Sequence, residues 1–268
     1  MTNSSTTHSN EKPTMSDHYD DCVTEQGQGE PLVILIHGWS CQRTDWVQTL
    51  AAMPRDLHCL ALDLPGHGEA QDKPWDDWTI EGLAKAVTEV ADQKGARRLI
   101  LVGHSMGGCV ALEAARRWSG PVGVVLVDSF GLPYGDMDAE TIASIEEPFK
   151  ADFRGAMAGL VDNTTVAELD PEILEWIKAR MSSGDPERLL PIWHNLLRWS
   201  PDGAFAEIKG PIVALNGEHI SEAAQKRCAP YVQETILPGT HHFPQFEQPQ
   251  AFANALQQSM ESIASQLE

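Results

Sequence analysis

The sequence predicts an α/β fold: a mostly parallel central sheet flanked by helices, with a helical cap inserted late in the chain. Three observations carry that prediction. Short apolar runs of strand length alternate with helical patterns from about Leu32 to Val127, the signature of a sheet covered on both faces. One of those runs, Leu99-Ile100-Leu101-Val102, leads directly into Gly103-His104-Ser105-Met106-Gly107 and then into a helical apolar pattern. From about Leu132 to Glu207 the alternation stops, and it resumes at Pro211.

An early edge strand is expected within His18–Gln26, closed by the turn residues Gly27-Gln28-Gly29. Leu32–Ile36 is five apolar residues in a row, a strand buried on both faces. A helix is expected around Trp46–Met53, then a strand over Leu57–Leu62. Ile80, Leu83, Ala84, Val87 and Val90 share one face of a helix spanning Ile80–Gln93. The Leu99 strand and its helix follow, then the apolar strand Val122–Val127, which ends in Asp128. In the interrupted region, helices are expected over Ala139–Phe149, Pro171–Met181 and Pro186–Trp199, with no strand. Trp176, Trp193, Trp199, Phe149 and Phe153 gather there, and seventy-odd residues is too long for an ordinary loop. Strands are expected again over Pro211–Leu215 and Val232–Leu237, and a final helix over Pro249–Ser265. The division is therefore a disordered tail over 1–17, a core formed by 18–131 with 208–268, and a cap over 132–207.

Bulk properties narrow the class. The chain of 268 residues suits one large domain with an insertion. No apolar run approaches the roughly 20 residues that span a bilayer, and the polar first twenty residues lack the apolar core of a signal peptide. Five cysteines (Cys22, Cys41, Cys59, Cys109, Cys228) are scattered and odd in number, which fits reduced thiols in a cytoplasm. A net charge of −20 repels phosphates and argues against a nucleic-acid partner. The expected partner is a small-molecule substrate, with no membrane contact, in a monomer or homodimer.

Gly103 to Gly107 form a G-x-S-x-G pentapeptide between a strand and a helix, the setting a nucleophile elbow needs. Ser105 is expected at strained backbone angles, tolerable only if its neighbours lack bulk, hence Gly103 and Gly107. The turn lifts the hydroxyl above the sheet edge and near a helix N-terminus, where the dipole favours negative charge.

Four motifs in order resemble the α/β-hydrolase fold family: His37-Gly38-Trp39, Asp63-Leu64-Pro65-Gly66-His67-Gly68, Gly103-His104-Ser105-Met106-Gly107-Gly108, and Pro238-Gly239-Thr240-His241-His242-Phe243-Pro244. The resemblance runs from about Asp20 to the C-terminus. It implies that the segment after Asp128 is the site of a cap. It also implies a base at His242, which heads His-Phe-Pro-Gln-Phe-Glu-Gln-Pro; His241 is the rival, one residue away. A serine hydroxyl needs such a base at neutral pH. Most relatives place the acid of the triad in a Gly-x-x-Asp pattern after the next-to-last strand. Here that stretch is Asn216-Gly217-Glu218-His219-Ile220, and Ile220 stands where the aspartate belongs. Some branches supply the acid from the position of Asp128, which is preferred; Glu218 is the alternative. Oxyanion donors are expected from the backbone N–H groups of Met106 and Trp39. His67 and His104 are expected to support the site without carrying protons.

No metal cluster, phosphate loop or dinucleotide motif is present in the sequence, so no cofactor is implied. The leading expectation is a serine hydrolase cleaving a carboxylic ester or lactone of a small to medium, fairly hydrophobic substrate. Cofactor-independent dioxygenases of the same fold also place the acid after the strand corresponding to Asp128. They share a pattern like Gly38-Trp39 and use the His–Asp pair as a base on a heteroaromatic ring. Perhydrolysis is a side activity open to the same triad. A non-enzymatic ligand receptor is the third alternative, opposed by the full set of Ser105, His242, acid and oxyanion donors.

Overall fold

The computed structural model of the chain describes residues 20–267, so the tail expected over 1–17 lies outside the described residues. Seven strands form one sheet: β1 Val23–Gln26, β2 Leu32–Ile36, β3 Cys59–Leu62, β4 Leu99–His104, β5 Val122–Val127, β6 Ile212–Asn216 and β7 Gln233–Ile236. Their spatial order is β1-β3-β2-β4-β5-β6-β7, and only the β1–β3 pair is antiparallel. The continuous apolar runs follow from this topology. Leu32, Ile34 and Ile36 of β2 pack into the core on one face of the sheet, Val33 and Leu35 into the core on the other. A parallel strand covered on both faces has no polar side.

Helices α1 Val47–Ala52, α2 Ile80–Gln93 and α3 Met106–Arg117 follow β2, β3 and β4. Thr79 caps α2, its hydroxyl accepting from the Gly82 N–H at 3.0 Å. The apolar stripe of α2, with Leu83, Val87 and Val90, is fully buried against one face of the sheet together with α3. On the opposite face, Trp46 and Leu50 pack with Phe252, Leu256 and Met260 of the last helix.

Between β5 and β6 the chain forms α4 Ala139–Ala151, α5 Phe153–Thr164, α6 Pro171–Met181, α7 Pro186–Arg198 and α8 Asp202–Glu207. Four of these begin at an aspartate whose carboxylate accepts a hydrogen bond from a first-turn N–H: Asp138 from Thr141, Asp152 from Gly155, Asp170 from Glu172 and Asp185 from Glu187. Pro171 and Pro186 occupy the first helical position, where a missing N–H costs nothing. Part of the acidic composition is therefore helix-capping. After β6 come α9 Glu222–Cys228 and, beyond β7, α10 Pro244–Glu247 and α11 Pro249–Ala264.

The differences from the sequence expectations are local. The first strand begins at Val23 because Asp20–Cys22 form a 3-10 turn. The strand expected from Leu57 begins at Cys59. Helix α5 was not expected, because Gly155 and Gly159 dilute its helical pattern; α8, α9 and α10 are too short to show one.

Candidate active site

Ser105 sits between β4 and α3 with φ 52° and ψ −124°. Its N–H donates to the Val127 carbonyl on β5 at 2.9 Å, so the sheet itself holds the strained residue. The two flanking glycines are required by contact. A Cβ at Gly103 would lie 2.2 Å from the Gly107 carbonyl oxygen, and one at Gly107 would lie 2.4 Å from the Ile36 carbonyl oxygen. The N–H of Met106 belongs to the first helical residue of α3 and so lies outside the intrahelical hydrogen-bond ladder.

Asp128 follows β5 with φ 44°, a left-handed conformation that aspartate tolerates better than most residues. Asp128 is 5% exposed and has both carboxylate oxygens engaged. Oδ1 accepts from the Gly217 N–H at 2.9 Å, and Oδ2 lies 2.6 Å from His242 Nδ1. A pair that short, with the carboxylate buried, is a charge-assisted hydrogen bond. It leaves Nε2 as the ring nitrogen of His242 facing away from the carboxylate. The alternatives lie elsewhere. Glu218 is exposed, and among the described residues only its backbone is engaged, the N–H donating to the Thr240 carbonyl. Ile220 is buried. The His241 ring stands edge-on to His219 with centroids 3.7 Å apart.

Three further histidines surround the site without titrating near neutrality. His37 accepts from the Leu64 N–H at Nε2 (3.0 Å), and its Nδ1 lies 2.8 Å from the Gly38 carbonyl, which pins the loop that carries Trp39. His104 holds the His242 carbonyl at 2.7 Å. His67 bonds the Pro65 carbonyl at 3.0 Å. Burial pushes all three imidazoles down to about 3. Below them, Asp63 gathers the Arg43 guanidinium and the Arg43 and Glu69 N–H groups.

Ser105 and His242 border one cavity of about 230 Å³. Its walls come from the Trp39 loop, from the stretch after Asp128 and from α4, α5 and α7, including Leu132, Ile145, Phe149, Leu160 and Trp193. Among the described residues, no Lys, Arg, Asp or Glu lines it. Trp39 joins the two halves of this wall. Its indole stacks on Trp193 with centroids 4.4 Å apart, and its N–H donates to the Leu189 carbonyl at 2.9 Å.

Two residues of the site carried no expected role. Thr164, at the end of α5, accepts from the His242 N–H at 3.0 Å. Glu247 spans two segments: Oε2 accepts from the His241 N–H at 2.7 Å and Oε1 from the Val166 N–H at 3.1 Å. Burial raises the Glu247 pKa above the usual carboxylate value. The spacing between His241 and Glu247 is visible in the sequence, but the Val166 partner, 81 residues away, leaves no local trace.

The sequence profile described as "Alpha/beta hydrolase family" matches residues 33–255. The chain belongs to that family. A monoacylglycerol lipase of Xenopus laevis is 31% identical over 122 residues, covering 44% of this chain and 36% of that protein. This chain therefore matches little more than a third of that relative's length. Among solved structures, an N-acyl homoserine lactone degrading enzyme superposes with a TM-score of 0.76 at 25% identity, covering 88% of this chain and 95% of its own. A hydrolase from Oleispira antarctica, 16% identical, shares the fold with a TM-score of 0.81 over 93% of this chain and 98% of its own. Among the described residues, no helix of this hydrolase-family chain is long and apolar enough to cross a membrane.

Proposed function

We propose that the protein is a serine hydrolase that cleaves a carboxylic ester or lactone through an acyl-enzyme. The observation that carries the reading is the 2.6 Å contact between Asp128 and His242 beside an elbow serine that borders the same cavity. In this mechanism, His242 Nε2 takes the Ser105 proton as Oγ attacks the acyl carbon. Asp128 fixes the tautomer through Nδ1 and stabilises the imidazolium that forms. The backbone N–H groups of Met106 and Trp39 receive the oxyanion. His242 then returns the proton to the leaving alkoxide, and a water deprotonated by the same ring releases the acid. The apolar, uncharged walls suit a fairly hydrophobic substrate of small to medium size. The lipase and lactone-degrading relatives point to the same bond type.

The test combines a fluorophosphonate label with a panel of esters, lactones and quinolones, followed for acid release and oxygen uptake. Ser105→Ala is expected to abolish labelling and to lower ester turnover about a thousandfold or more without unfolding the protein. Retained turnover of a heteroaromatic substrate with oxygen consumption would replace this reading with the dioxygenase one.

A further inference from the structure

Nearly every polar side-chain group bordering the cavity is already committed. The Trp39 indole donates to Leu189, the Ser129 hydroxyl to the Gly103 carbonyl, and the Thr164 hydroxyl to the Leu160 carbonyl. His104 is held by the His242 carbonyl. The Trp193 N–H has no partner among the described residues, but it is fully buried and cannot meet a ligand where it stands. Besides the reacting pair and the Cys41 thiol, one group remains: the phenol of Tyr134.

Tyr134 lies six residues beyond Asp128, in the loop that forms the cavity wall between β5 and α4. Its side chain is only 4% exposed, and its ring is wedged edge-on to Phe130 and Trp199 with centroids 6.0 and 6.4 Å away. Its hydroxyl makes no hydrogen bond among the described residues, yet it is not among the sealed unpaired groups. Tyr134 borders the cavity, so its phenol is the donor of the lining that has no partner among those residues. Desolvation raises its pKa well above the usual value, so it stays a neutral donor.

From this placement we infer that the substrate carries a second, uncharged oxygen acceptor, a keto, ether or amide oxygen apart from the scissile carbonyl, which accepts a hydrogen bond from Tyr134. The inference rests on the hydrolase reading for the identity of the scissile group. An all-alkyl ligand would bury the phenol unpaired. A site with an unmatched buried donor rejects such an analogue far more strongly than a site that merely loses a methylene. The lack of charged side chains among the described lining residues and the net charge of −20 both disfavour a carboxylate or phosphate as that second group.

The test uses two neutral ligands that need no turnover: a dialkyl ketone and a diketone of equal length, titrated against the quenching of indole fluorescence at the cavity. The first carbonyl of each stands in for the scissile group. The diketone is expected to bind the native protein about tenfold or more tightly than the monoketone. In Tyr134→Phe that ratio falls toward one. Equal affinities in the native protein, or a ratio that Tyr134→Phe leaves intact, overturns the inference. A matched pair of nitrophenyl esters, with and without a chain oxygen, repeats the comparison in kcat/KM. Failure of the fluorophosphonate to label Ser105 would instead sink the hydrolase reading, whatever the ketones do.

Discussion

The sheet and the five helices between β5 and β6 share an apolar core but are positioned in different ways. In the sheet, β2, β4 and β5 are buried at every residue, and the groups that face the cavity are aimed by backbone register. Ser105 is tied to Val127, and Asp128 donates its own N–H to Leu215. The helical segment shares the apolar core on one face of the sheet, through Phe149, Phe153, Ile177, Leu189 and Trp193. Two polar ties add to that packing: Arg180 pairs with the buried Asp45, and the Ser40 hydroxyl donates to the Met181 carbonyl. Within the segment, Glu146 gathers Arg198, Lys150 and His194 and so joins α4 to α7. One half is aimed by backbone hydrogen bonds, the other by side-chain packing and a short set of ion pairs. Reactivity is expected to depend on the first, and the shape of the cavity on the second.

The largest effect should separate the two loops that compete for the acid. Asp128→Asn keeps the volume but removes the charge beside His242, and a loss of hundredfold to ten-thousandfold in kcat is expected. Glu218→Gln, on an exposed side chain, should cost little. Matched circular dichroism keeps a folding defect from passing as a catalytic one. A nearly active Asp128→Asn beside a dead Glu218→Gln would return the acid to the loop after β6.

Next in size is the tie at Arg180. Its side chain is 11% exposed and Asp45 is 3% exposed. Arg180→Met strands a buried carboxylate and should lower stability by about 3 kcal/mol. Urea unfolding measures it, and an unchanged midpoint would show that the helices need no ionic anchor.

Acid should weaken the sheet side through His37, His67 and His104. Each has a folded pKa of about 3, well below the unfolded value near 6.5. Between those values the unfolded chain takes up protons that the folded chain refuses. Their contribution is therefore complete above pH 6.5 and falls as pH drops toward 3, by about 1.4 kcal/mol per pH unit for each ring. His67→Gln should flatten the slope of unfolding free energy between pH 6 and 4 by one such increment; an unaltered slope would contradict the burial argument.

The smallest expected effect is at Glu247, which touches both halves. Glu247→Gln keeps one acceptor oxygen and should lower kcat by about tenfold, with KM less affected, as the histidine loop loses definition. Glu247→Asp should not rescue it, because the shorter arm cannot span from His241 to Val166. Equal kcat in all three proteins would make the bridge purely structural.

How much of this was legible in the sequence depends on whether the cause was local. Leu32–Ile36 and Val122–Val127 declare themselves because burial on both faces leaves no room for a polar residue. The elbow declares itself because Gly103 and Gly107 meet backbone atoms that no side chain could pass. Asp128 and His242, named from the motifs, are brought into contact across 114 residues by the β5–β6 register and the loop after β7. Helix α5 was hidden by its glycines, and the start of β1 by a surface position that imposes no apolar pattern. The Thr164, Glu247 and Tyr134 contacts depend on how helices settle over the sheet, which periodicity does not encode.

The backbone bond from His242 to Thr164 has one more consequence. Together with the bond from the Val166 N–H to Glu247, it joins the amides of Val166 and His242 into a single latch between the helical segment and the stretch after β7. Those two amides cannot meet deuterium one at a time without leaving a carboxylate or carbonyl unpaired. In heavy water they should exchange in concert, at the rate at which the helices lift away from the sheet. Their shared clock would count the openings through which an occupant of the cavity enters and leaves.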